Sequence, residues 1–292
     1  MKIAPLLAAG ALLGAALPLH AGPAYIAAST TAQSSYTKAK FPASTPPVAQ
    51  AYLFFQGQLS RGEGHDKALE GTPFPTVARM LAADLRSANF QPTPDAGKAE
   101  LVLAVQWGVT AVQSDPLRDF ATQSLQSDLS SFNTNTAASM GISKPTGVGG
   151  SKSQALSATI KPASAINMDL SAADAGNQAV VQSTAYNAQL LGFAEDIAKS
   201  KRQVQGFADS HSKGDELLDL LNDPRYFLVI QAYDLRQLQK GGHPMPLWTS
   251  RVSVQAAGHT FTEILPALCR EAARYAGRST GEVKTDAVDL QL

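Results

Sequence analysis

The 292-residue sequence predicts an α+β protein: a mixed β-sheet of about four strands, ordered β-α-β-insertion-β-β-α and covered by helices. Three observations carry this. Short apolar runs of strand character lie at 52–59, 101–109, 226–233 and 248–254. Amphipathic helical spacing appears near 76–89 and again at 261–276. Between the two halves, residues 113–224 shift to a Ser/Thr/Gly-rich and partly helical composition, the mark of an insertion.

The elements follow in order. AYLFFQGQLS carries Tyr52, Leu53, Phe54, Phe55 and Leu59, an aromatic run suited to a strand with a buried face. In VARMLAADLRSANF, Val77, Leu81, Leu85 and Ala88 recur at helical spacing. Thr72 or Thr76 offers a cap, and Asn89 can take the left-handed closing position. Leu101, Leu103, Val105, Trp107 and Val109 then alternate along a central strand.

Tyr226–Tyr233 is apolar except for Gln231, as expected of a strand covered on both faces, while Trp248, Val252 and Val254 alternate with Thr249, Arg251 and Ser253. Between these strands LRQLQKGGHPMP combines two glycines, free to take positive φ, with two prolines that cannot donate to a ladder. That chemistry reverses a chain, and it leaves His243 in a connection. Thr260 and Glu263 have capping-box spacing before Phe261, Ile264, Leu265, Leu268, Ala272 and Tyr275. Pro266 argues that the regular helix begins near Glu263, and Gly277 closes it.

Outside this frame, residues 1–21 read as a secretory signal: Lys2 is the charged start, an apolar stretch follows, and Leu19-His20-Ala21 resembles a cleavage pattern. Residues 22–47 read as an extended leader and 278–292 as a tail. The domain proper is 48–112 with 225–277, an α/β sandwich. Within the insertion a helix is expected around Asp119–Phe132. A longer one, with Tyr186, Leu190, Phe193 and Ile197 on one face, extends to Val204, and DELLDLLND makes a short one before Pro224.

Composition excludes several classes. Lys plus Arg and Asp plus Glu are equal at 24 each, so a nucleic-acid partner is not expected. The single cysteine, Cys269, excludes an intramolecular disulfide and a lipid anchor at an amino-terminal cysteine. After the signal no apolar run reaches membrane-spanning length, so the mature chain is expected without a transmembrane segment. The expected location is the periplasm, the envelope periphery or the medium.

YFLVIQAYD, PLWTSR and FTEILPAL resemble uncharacterised exported proteins and lipoproteins of bacterial envelopes. Over 48–112 and 225–277 the plan is similar to the small α/β domains of the TolB amino-terminal and curli-secretion lipoprotein families. The resemblance implies an envelope protein and carries no catalytic residues. A curli-secretion-like pore subunit would need a long alternating hairpin, which the sequence lacks.

No catalytic residue, cofactor or metal ligand is assigned from sequence, and the candidates are few. Glu63, His65 and Asp66 in RGEGHD could bring carboxylates and an imidazole together on a glycine loop; a solvated loop is the competing explanation. His259 and Glu263, four apart at a helix entrance, could form an acid–base pair, although capping explains Glu263 without catalysis. Ser210 and Lys213 have a serine–lysine spacing without its companion motifs, and GVGGSKS at 147–153 displaces the lysine of a phosphate loop. Cys269, Trp107 and Trp248 fit a core. The leading expectation is a non-enzymatic envelope protein that binds another envelope protein or itself. The alternative is a small-molecule binding protein or hydrolase built on the loops around His65 and His243.

Overall fold

The computed structural model describes residues 24–112, 173–204, 212–240 and 245–288. They form an α+β fold, and the sheet is larger than expected, with seven strands in place of four. The strands are β1 (Ala24–Ala32), β2 (Gln50–Arg61), β3 (Phe90–Pro92), β4 (Leu101–Val109), β5 (Arg225–Asp234), β6 (Trp248–Gln255) and β7 (Lys284–Val288). They are ordered β3-β2-β4-β5-β6-β1-β7. β2 is parallel to β3 and β4; every other pairing is antiparallel.

The expected four-strand frame is β2, β4, β5 and β6, in that spatial order. Leu228 sits opposite Val252 in the β5–β6 ladder, so the two strands flanking the Gly/Pro connection do pair. The short helix α7 (Leu235–Gln239) opens that connection, with Asp234 capping it by accepting from Gln237 N–H at 3.0 Å. The numbers β1–β7 follow chain order, and the helices are α1 (Ser34–Lys40), α2 (Lys67–Glu70), α3 (Phe74–Leu85), α4 (Ala173–Leu191), α5 (Ala194–Val204), α6 (Lys213–Leu220), α7 and α8 (Phe261–Arg274).

The additional strands correct both ends of the sequence reading. Residues 22–47 are not simply an extended leader, because β1 lies between β6 and β7 and α1 follows it. The signal was hidden by composition: AYIAASTTA is small and weakly apolar, yet Ala24, Ile26, Ala27 and Ala28 are all buried. Residues 278–292 are likewise more than a tail, since β7 pairs with β1 from Ala24↔Val288 to Ala28↔Lys284.

One face of the sheet carries the main core. Leu101, Leu103, Val105 and Trp107 of β4 point into it, with Tyr226, Leu228 and Ile230 of β5, and α3 and α8 cover them. Phe74 of α3 stacks on Trp107 with ring centroids 5.4 Å apart. The caps differ from expectation. Pro73 occupies the N-cap of α3 and Pro75 its first turn, whereas the Thr72 hydroxyl donates to Ala68 C=O at 2.7 Å. Asn89 does close this region, with φ 61°. α8 begins at Phe261 rather than Glu263 and carries Pro266 inside. The carbonyl deprived of its bond belongs to Thr262, which is exposed and can meet solvent.

The opposite face is partly covered by α4, α5 and α6, which bury Ala188, Leu191, Phe193, Ile197, Leu217 and Leu218 against Ala27, Phe227 and Val229. The expected helix from Tyr186 to Val204 is two helices, broken at Gly192, whose φ of +78° no regular helix accepts. Phe193 and Ile197 of that expected face dock on the sheet, whereas Tyr186 is 58% exposed. Farther along this face, Leu53 and Phe55 of β2 pair with Val102 and Ala104 of β4 and remain half-buried to exposed.

Candidate functional site

Two of the candidates, Asp66 and Glu263, lie at one end of the sheet, where the loop after β2 meets the start of β5 and the entrance of α8. Asp66 is the pivot. Its Oδ1 accepts from Ala68 N–H at 2.9 Å and Leu69 N–H at 3.0 Å, capping α2, and its Oδ2 accepts from the Tyr226 hydroxyl. The cap drives Leu69 into the core, and the Tyr226 bond pins the loop to β5. One carboxylate therefore fixes a long loop at both of its oxygens.

Tyr226 was not among the sequence candidates, because it opens an apolar run and looks like core. Burial, then the bond to Asp66, then the charges of Asp66 and Glu263, hold its hydroxyl above the usual tyrosine range. A phenol whose proton is tied to a carboxylate is a poor acid or nucleophile at neutral pH. Phe261 packs beside it, ring centroids 5.6 Å apart, which brings the α8 entrance against the loop.

The remaining candidates are spent elsewhere. His65 Nδ1 lies 3.3 Å from Glu70 Oε1, but its side chain is 94% exposed, so no enclosed chemistry surrounds it. Glu63, exposed on the same loop, joins neither pair. Among the described residues no group of three or more His, Cys, Asp or Glu side chains could hold a metal ion.

Glu263 accepts from Thr260 N–H at 2.8 Å, the capping bond that its spacing predicts. That bond, with the Thr260 side chain and then the His259 charge, holds its carboxyl below the usual range. His259 N–H donates to Ala256 C=O at 3.1 Å in the turn before α8. His243 and Ser210 lie outside the described residues, as do 147–153 and 119–132. Lys213 pairs with Glu282 at 2.6 Å, tying α6 to the segment before β7. Cys269 is fully buried, and burial pushes its thiol up, as for a small core residue.

Three cations stand out instead, and sequence reasoning missed all of them because a lysine or arginine is read by default as surface. Lys40, 1% exposed, ends α1 with its ammonium on Val48 C=O and on Asn89 C=O at 3.0 Å, 4.0 Å from the Phe90 ring centroid. Burial pulls it down to about 8 against the opposing Glu100 charge. Arg225, also 1% exposed, donates to Ser253 Oγ at 3.0 Å, Ser253 C=O at 3.1 Å and Tyr25 C=O at 3.4 Å, lacing β5 across β6 to β1. Burial pulls it down to about 10. Arg251 is lowered in the same direction by burial beneath the Gly192 turn. Lys40 and Arg225 serve as hydrogen-bonding struts inside the fold, and the half-buried Arg251 packs its stem beside Gly192.

No protein-family model matches this chain, and no curated protein matches it. Among the described residues no helix is long and apolar enough to cross a membrane.

Proposed function

We propose that this chain is an exported envelope protein that works by assembly, binding another envelope protein or itself, rather than by catalysis. The observation that carries this is the partly covered sheet face. Leu53, Phe55, Val102 and Ala104 are left half-buried to exposed, and Phe55 alone is 61% exposed. The groups suited to chemistry support the same reading. Asp66 and Glu263 are engaged as caps, and His65 faces solvent. Export is supported by the signal-like residues 1–21, and the envelope by the likeness of 48–112 and 225–277 to exported envelope proteins.

A photo-cross-linking residue at Phe55, used in intact cells, tests the reading. It is expected to trap a defined envelope chain or a second copy, while the same residue at the exposed Lys67 traps neither. Equal background at the two positions would remove the support.

A further inference from the structure

We propose that the outer edge of β2 is an interaction surface that pairs, antiparallel, with β2 of a second copy of this chain. This deepens the assembly reading and rests on it. β2 runs for twelve residues, and β4 pairs with it from Tyr52 to Arg61. On the other side β3 accompanies it only over Gln50–Tyr52, and the last bond there is from Thr93 N–H to Tyr52 C=O. Beyond that point the outer edge of β2 has no ladder partner among the described residues.

The direction of the free groups follows from their neighbours. Gln50 N–H and Tyr52 C=O serve the β3 side, while Ala51 C=O accepts from Glu100 N–H on the β4 side. Sides alternate along a strand, so Phe54 and Gln56 turn N–H and C=O outward. Placing Phe55 opposite Phe55 of the second copy sets Phe54 opposite Gln56 of the second copy. Each such pair exchanges two hydrogen bonds, about four in all by two-fold symmetry. Phe55 then forms the close, non-hydrogen-bonded pair, and the two exposed rings cover each other.

Charge favours this edge over the others. No charged residue occurs from Tyr52 to Ser60, so the strip meets its copy without repulsion. The opposite edge, β7, would set Asp286 against Asp286 if it paired about its centre. β3 carries Pro92, which has no N–H to give. The register shift between Gln56 and Leu59 limits the new ladder to about five residues a copy, which falls short of the ~1,000 Å² of a stable interface and makes the dimer weak.

Sedimentation of the purified chain over tens to hundreds of micromolar tests this. A concentration-dependent dimer is expected. Phe55→Lys and, separately, Gln56→Pro should each weaken it at least ~10-fold, the first by like charge and the second by removing an outward donor. Tyr186→Lys, at similar exposure, should leave it unchanged, with circular dichroism confirming that each variant folds. A monomer at every concentration, or a dimer indifferent to both β2 variants, overturns the proposal. If Phe55 cross-links only to a different envelope chain in cells, the second copy is ruled out while the assembly reading stands; failure of both experiments removes both.

Discussion

At the scale of single residues, the polar groups inside this protein do structural work that spacing alone could not disclose. Asp66 and Glu263 were legible as candidates because acidic residues beside turns are conspicuous. Their partners were not, since Tyr226 lies 160 positions from Asp66. Asp66→Ala removes a helix cap and a buried hydroxyl's acceptor together and should cost about 2–4 kcal/mol by urea denaturation. Tyr226→Phe removes only the hydroxyl bond and should cost about 1 kcal/mol. In the double variant the costs should add to less than their sum; full additivity would mean that the two groups are not coupled.

Lys40 makes a prediction of pH dependence. Its folded value of about 8 lies below the 10.5 of the free side chain, so between these the unfolded chain binds more protons. Stability from this group is therefore lowest, and flat, below about pH 8, and it rises as pH climbs toward 10.5. Urea midpoints between pH 7 and 9.5 should increase in the native protein, with the increase absent in Lys40→Met. A parallel rise in both would assign it to other groups.

At the scale of elements, strong alternation was readable and weak composition was not. β4 announced itself through Leu101, Leu103, Val105 and Trp107, all of which are buried. β1 did not, because Ser29 and Thr30 stand where a sequence reader wants large apolar residues. Those small side chains are needed: Thr30 hydroxyl donates to Ser250 Oγ at 3.2 Å, and Ser29 hydroxyl donates to Gly192 C=O at 3.1 Å. The α4–α5 break was equally hidden, since its cause is the approach of Gly192 to β1. A Cβ there would lie 2.6 Å from Ser29 Oγ and 2.9 Å from Arg251 Cδ. Gly192→Ala should therefore cost about 2–4 kcal/mol, combining positive-φ strain with the clash. Gly258 has φ +80° and open space around its Cβ direction, so Gly258→Ala should cost only about 1 kcal/mol. Equal costs from thermal unfolding would show that α4 and α5 are not held by this contact.

At the scale of the whole molecule, the two chain ends complete the sheet, and neither was recognised as part of it from sequence. Order read from composition starts where large apolar residues start, near Val48, and stops at Gly277. The structure instead threads β1 between β6 and β7, so that the last strand holds the first. Thr280 N–H donates to Thr30 C=O at 2.9 Å, Val283 N–H donates to Asp196 Oδ2 at 2.5 Å, and the Val283 side chain is 1% exposed. β7 thus pairs with β1 while Val283, just before it, ties the chain to α5. Ending the chain at Gly277 removes this strand, the buried valine and the Lys213–Glu282 pair. The exposed ion pair contributes little. Burial of Val283 with the lost ladder bonds should lower stability by about 3–5 kcal/mol. The urea midpoint should fall accordingly, and hydrogen exchange should accelerate in β1 and α5 before β4. A shortened chain that matches the native midpoint and exchange pattern would show that β7 adds nothing to the fold.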